Sequence, residues 1–171
     1  VAIRKFRLFL ASGMGKEERW LTELSAKGLH MEKFKLGLYT FEEDKSKSYV
    51  YQIDFQHRTS EDYFQVFEDA GWEHVTGWAD MFQYFRTDAS RAGVKKIYSD
   101  RESVMESYKR MMRVYLFIFS ILILSQVPIW LMWDGHFLDV SVTVLSTLVI
   151  LLYVYMLLAL RRKIRFYERN E

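Results

Sequence analysis

Cysteine is absent from the chain, which excludes disulfides, thiol nucleophiles and thiolate metal sites. Proline occurs once, at Pro128. Charge of either sign is nearly missing from one long region. The first 113 residues hold 19 of the 24 Lys and Arg and 18 of the 22 Asp and Glu, whereas residues 114–160 hold only Asp134 and Asp139. The net charge of +2 leaves too little basic excess to imply nucleic acid as a partner. Half the residues are hydrophobic although the mean hydropathy is only −0.10. Two unlike regions are needed to reconcile those values, and the second is too apolar for water.

Val114 to Trp133 and Val140 to Leu160 are uncharged runs of 20 and 21 residues. At about 1.5 Å per residue, either one as a helix spans the ~30 Å hydrocarbon core of a bilayer. They hold 12 and 13 residues of Leu, Ile, Val or Phe, which favours insertion by several kcal/mol, on the order of −0.3 to −0.6 kcal/mol for each. The connector Asp134 to Asp139 has two acids and no Lys or Arg. Lys109, Arg110 and Arg113 precede the first run, with Lys95, Lys96 and Arg101 further back. Arg161, Arg162, Lys163, Arg165 and Arg169 follow the second. The positive-inside rule then predicts a two-pass protein of the cell membrane with both termini cytoplasmic. Trp130 and Trp133 fall at the outer interface, and the bilayer is the first expected partner, its anionic headgroups facing the inner basic cluster. Pro128 should kink the first helix near its outer end. Gln126 needs a hydrogen-bond partner there, through a helix–helix bond or a contact with a membrane partner. No charge lies inside either run, which argues against an ion or proton pathway. No signal peptide is expected: the apolar stretch at Phe9-Leu10-Ala11 soon meets Lys16 and Glu17.

The charged first region is aromatic-rich, and it alternates. Ile3 to Leu10 reads as a strand, Gly15 to Lys27 as a helix closed by Gly28-Leu29, and Leu29–Phe34 and Gly37–Glu42 as two strands. The pattern then restarts: Tyr49, Tyr51, Ile53 and Phe55 alternate. Thr59 and Asp62 have capping-box spacing ahead of a helix with Tyr63, Phe64 and Phe67, closed by Gly71-Trp72. Strands at Trp72–Thr76 and Met81–Arg86 follow. A shift of 43 residues superposes the halves, setting Phe6 on Tyr49, Trp20 on Tyr63 and Gly28 on Gly71. Duplication, or convergence on one plan, fits this pattern. The expected architecture is α+β: βαββ twice, an antiparallel sheet with two helices on one face, then an all-α two-helix transmembrane hairpin. Domain boundaries are expected at residues 1–90 for the cytoplasmic domain, 91–113 for a helical stem, 114–160 for the hairpin and 161–171 for a basic tail.

Lys5-Phe6-Arg7-Leu8-Phe9, Glu18-x-Trp20-Leu21, Ala26-Lys27-Gly28-Leu29-His30, Tyr49-Val50-Tyr51 and Phe67-Glu68-Asp69-Ala70-Gly71-Trp72-Glu73 resemble domain-of-unknown-function family 2812. The resemblance covers roughly residues 3 to 105. It implies a bacterial, membrane-anchored protein, often encoded beside PadR-type transcription regulators, with a role in sensing or envelope-stress control. It implies no catalytic residue.

His30, His57, His74 and His136 form no pair at i, i+3 or i+4, so neither metal nor other cofactor is expected. Ser12 in Ala-Ser-Gly-Met-Gly lacks the glycine spacing of a nucleophile elbow. Gly13-x-Gly15-Lys16 lacks the leading glycine and trailing hydroxyl of a phosphate loop. Glu42-Glu43-Asp44 with Lys45 and Lys47 reads as a solvated hairpin tip. The strands carry more aromatics than one core face needs, which points to a ligand or partner surface at Tyr49, Tyr51, Phe82 and Tyr84, with Trp78 in a turn-like Gly77-Trp78-Ala79-Asp80. Few Lys or Arg interleave with them, which argues against RNA. The sequence therefore predicts a membrane-anchored, non-enzymatic binding or regulatory protein. Its cytoplasmic domain would take a protein or small ligand, with a homo-oligomer open and Gln126 and Pro128 offered to a membrane partner. An accessory or immunity subunit of a transporter is the alternative.

Overall fold

The computed structural model describes residues 2–90 and 101–169, side chains at 11 and 101–103 aside. Lys95, Lys96 and the first part of the expected stem lie outside them. The elements run β1 (Ile3–Phe6), α1 (Met14–Ser25), β2 (Leu29–Lys35), β3 (Leu38–Glu43), β4 (Tyr49–Phe55), α2 (Glu61–Asp69), β5 (Glu73–Trp78), β6 (Phe82–Asp88), α3 (Arg101–Leu124), α4 (Gln126–Leu131) and α5 (Phe137–Glu168). The chain divides into two compact units, Val1–Ser107 and Tyr108–Glu171.

The first unit holds two antiparallel three-stranded sheets, ordered β1-β3-β2 and β4-β6-β5, instead of the single sheet expected. β2 and β5 are neighbours but exchange no ladder. Each also breaks register against its own central strand, between Met31 and Lys33 in β2 and between His74 and Thr76 in β5. Such irregularities twist a strand away from flat pairing. The helices do not share one face either. α1 packs on β4 and β2, and α2 on β5.

Each inner hairpin turns through consecutive residues of positive φ: Leu36 and Gly37 between β2 and β3, Ala79 and Asp80 between β5 and β6. That backbone matches the right-handed twist of the flanking strands. Trp78, expected in the turn, is instead the last residue of β5. Gly71 ends α2 at φ 83°. Its N–H donates to the Glu68 carbonyl, and that of Trp72 to the Phe67 carbonyl, each at 2.8 Å. This is a Schellman stop, with Trp72 folded into the core at 4% exposure. The N-cap of α2 is Ser60, whose hydroxyl accepts from the Tyr63 N–H at 3.3 Å, and not Thr59 as the capping-box spacing suggested.

β4 is an edge strand, and α1 closes its edge. The N–H groups of Tyr49, Tyr51 and Ile53 donate to Ser25 Oγ, Thr22 Oγ1 and Glu18 Oε1 at 2.7, 3.1 and 2.9 Å. Alternate residues of a strand point their N–H groups the same way, and residues three and four apart share a helix face. A polar stripe at 18, 22 and 25 therefore meets donors at 53, 51 and 49, and the exposed donors that would recruit a foreign strand are occupied. Leu21, Met31, Tyr39, Phe41, Tyr51, Phe55 and Phe85 fill the core, each contributing roughly 1.5–3 kcal/mol by burial.

In the second unit, α3 from Tyr108 onward runs antiparallel to α5, as the ring contacts Tyr108–Tyr167 and Phe119–Tyr153 show. Two spans are long and apolar enough to cross a membrane, Val104–Leu131 and Phe137–Glu168, and no part of their most apolar windows is buried inside the protein. The first breaks at Ser125. Pro128 has no N–H to offer the Leu124 carbonyl, so the α-helical ladder stops where α3 ends and α4 begins. The basic tail is not a separate segment: Arg161 to Glu168 continue α5.

Candidate functional site

α1 has a second polar feature, turned inward. Met14, Glu17, Leu21 and Ser25 are its buried residues, a stripe at helical spacing that carries a carboxylate into the core. Glu17 Oε1 accepts from the Tyr39 hydroxyl at 2.6 Å and from the Tyr84 hydroxyl at 2.8 Å. Tyr39 belongs to the central strand of one sheet and Tyr84 to the central strand of the other, so a single oxygen ties the two sheets together. Burial pushes the Glu17 carboxyl above the ordinary carboxylate range, partly offset by the two phenols. Both phenols are held far above their usual value, first by burial and then by Glu17. They stay protonated and remain donors.

Around this hub lies an aromatic cluster. Phe34 touches Tyr39, Tyr84 and Trp78 with ring centroids at 4.7, 5.3 and 5.9 Å, and Trp20 meets Tyr39 edge-on at 4.9 Å. A second buried chain runs from the N–H of Tyr49 to Ser25 Oγ, from the Ser25 hydroxyl to His30 Nδ1 at 2.8 Å, and from His30 Nε2 to the Asp44 carbonyl at 2.7 Å. The carbonyl can only accept, which fixes the proton on Nε2 and leaves Nδ1 as acceptor. Ser25 is 0% and His30 2% exposed. The pair has the atoms of a nucleophile and base, but its donors and acceptors are used in holding α1, β2 and the β3–β4 connection. Asp54, 1% exposed, accepts from the Tyr63 hydroxyl at 2.7 Å. Among the described residues, no three His, Asp or Glu side chains converge as a metal would require.

The five aromatic residues singled out in the sequence separate into two groups. Tyr51 and Tyr84 are 1% and 2% exposed; the Tyr51 hydroxyl accepts from the Met31 N–H at 2.9 Å, and Tyr84 serves Glu17. Tyr49, Trp78 and Phe82 are half-buried. Arg86 covers the Tyr49 ring at 4.6 Å while making a two-point pair with Glu73 at 2.7 and 2.8 Å. Trp78 lies against Phe82 at 5.8 Å. Tyr49 in β4 pairs with Asp88 of β6, whereas Phe82 pairs with Phe55 at the other end of the ladder, so these three do not form one contiguous face.

Glu17 escaped the sequence reading because Lys16-Glu17-Glu18-Arg19 looks like a solvated first turn. The available signal was its spacing, three residues after Met14 and four before Leu21. In the apolar helices, Gln126 Nε2 donates to the Leu122 carbonyl and to Ser125 Oγ, both at 3.2 Å, so its own turn supplies the partner. Thr143 Oγ1 is buried without a hydrogen-bond partner among the described residues.

The fold is that of an α+β protein: a two-sheet unit with a buried acid–phenol hub, followed by two apolar helices long enough to cross a membrane. The profile of the family described as "Protein of unknown function (DUF2812)" matches residues 13–120. The chain belongs to that family. The match begins after β1 and extends into the first apolar helix, further than the residue motifs alone reach. No curated protein and no solved structure matches the chain.

Proposed function

We propose that this chain is a membrane-anchored, non-enzymatic binding module, its α+β unit cytoplasmic and its two apolar helices crossing the bilayer as a hairpin. One observation carries the reading: two helical spans of 28 and 32 residues have apolar windows in which no residue is buried. Water would reject that surface and lipid accepts it. The basic residues flanking both helices argue for termini on the cytoplasmic side.

The α+β unit supports a binding role over a catalytic one because its buried acids, hydroxyls and imidazole are engaged in holding elements together. Trp78 and Phe82, half-buried at the β5–β6 hairpin, are the residues offered to a protein or small ligand, which would carry a regulatory signal to or from the membrane. The two halves also favour an origin by duplication. Both are βαββ with the central strand last, and the register breaks at Met31/Lys33 and His74/Thr76 fall 43 residues apart, as do the turns at Leu36-Gly37 and Ala79-Asp80.

The test is fractionation followed by mild-detergent purification from the native membrane. The chain should pellet with membranes, resist extraction by salt or alkali, and co-purify with a cytosolic regulator. A chain that stays dispersed without detergent overturns the anchoring. A stable complex with transporter subunits instead would make it an accessory of transport.

A further inference from the structure

Among the described residues, nothing covers the outer face of the β1-β3-β2 sheet at its hairpin end. Cross-strand partners share a face, and the register Phe6↔Leu38, Arg4↔Thr40, Lys35↔Leu38 and Lys33↔Thr40 puts Arg4, Phe6, Lys33, Lys35 and Leu38 on the side away from the core residues Tyr39 and Phe41. α1 lies against the opposite face, where Glu17 and Trp20 meet Tyr39 of β3. At the hairpin end of this face, four apolar side chains gather round Gly37. Phe6 is 69%, Leu8 72%, Leu36 66% and Leu38 40% exposed. A Cβ added at Gly37 would lie 2.6 Å from Leu8 Cδ2 and 3.1 Å from Phe6 Cε2, and the Arg7 N–H donates to the Gly37 carbonyl at 2.8 Å. Three exposed cations share this face with the cluster: Arg4, Lys33 and Lys35. The face's acids, Glu42 and the neighbouring Glu32, lie towards the other end of the ladder.

Exposed apolar side chains ringed by cations are complementary to an anionic lipid surface: the rim meets headgroup phosphates and the centre enters the headgroup–acyl boundary. We infer that this face docks on the anionic leaflet of the membrane that anchors the chain, with Phe6, Leu8 and Leu36 as the inserting residues and Arg4, Lys33 and Lys35 as the headgroup contacts. The inference rests on the anchored reading above. Docking on the chain's own membrane makes the attraction intramolecular, so a patch too small to recruit a free protein suffices.

Because the chain has no cysteine, one introduced thiol takes a fluorophore cleanly. The full chain is reconstituted in nanodiscs of phosphatidylcholine, or of phosphatidylcholine with phosphatidylglycerol, each carrying headgroup-region spin-labelled lipid as quencher. Label at Leu8→Cys should be quenched strongly in the anionic discs and weakly in the neutral ones. Label at Val66→Cys, an exposed position on α2, should be insensitive to lipid charge. Replacing Arg4, Lys33 and Lys35 by Gln should lower the docked-to-free ratio about fivefold per cation removed. Equal quenching in both lipids, none in either, or quenching that survives the Gln changes overturns the inference while leaving the anchoring intact. Energy transfer between Leu8→Cys labels on two copies would assign the face to self-association and also overturn it. A chain that elutes free of lipid overturns the anchoring, and this inference with it.

Discussion

At the scale of single residues, Glu17 decides how the α+β unit responds to pH. Its carboxyl is raised in the fold, so the stability linked to it is complete below the unfolded value and is lost as pH rises through the raised one. Glu17→Gln keeps an oxygen to accept from Tyr39 and Tyr84 and has no proton to lose. Urea titrations of the full chain in detergent, followed by tryptophan fluorescence, should show the variant gaining on the parent as pH rises above about 4.5, the ordinary carboxylate value. A constant gap between the two curves would show that Glu17 does not titrate in this range. Thr22 tests the edge contact. Thr22→Ala removes the acceptor for the buried Tyr51 N–H and should cost about 1–3 kcal/mol in the same titration; a loss within error would mean that water replaces the hydroxyl.

At the scale of elements, both hairpin turns should favour glycine. Ala79 holds φ 54° and Leu36 φ 48°, conformations that cost an L-residue roughly 1–2 kcal/mol. Ala79→Gly should therefore raise the urea midpoint, by up to about 1 kcal/mol after the extra entropy of an unfolded glycine is subtracted. Gly37→Ala should lower it by more than about 1 kcal/mol, since the new Cβ meets a left-handed φ of 80° and the Arg7 carbonyl oxygen at 3.1 Å. If both changes were neutral, the turns would not hold these conformations in solution. Elements were the scale most legible from sequence. Alternation gave the six strands, and the glycine-plus-apolar ends gave the helix stops. The capping residue was missed because Thr59 and Ser60 are chemically equivalent neighbours, and only the backbone direction at Ser60 decides which one caps. Trp78 was assigned to the turn, and not to the end of β5, because Ala79 and Asp80 are not the glycines that such φ values favour.

At the scale of the whole molecule, sidedness is the open consequence of the charge pattern. A thiol placed by Phe137→Cys, 83% exposed beside the connector, should react with an impermeant maleimide added outside intact cells. One placed by Glu168→Cys, near the end of α5, should react only after lysis. The reverse result would invert the topology without removing the membrane reading. The aromatic excess was a weaker guide at this scale. It pointed to one sheet face as a partner surface, yet Tyr51 and Tyr84 went to the core, where Tyr51 accepts from the Met31 N–H and Tyr84 donates to Glu17 between the two sheets.

Composition and periodicity alone determined the division into a charged half and an apolar half, the strand and helix order, and the two spans long enough for a bilayer, because hydrophobic length and alternation are local properties of the chain. Tertiary structure alone decided that there are two sheets, that α1 seals the edge of β4, and that Glu17 binds Tyr39 and Tyr84. Those facts depend on which residues far apart in sequence meet: Glu17 and Tyr84 stand 67 positions apart, and no local pattern encodes a partner at that distance.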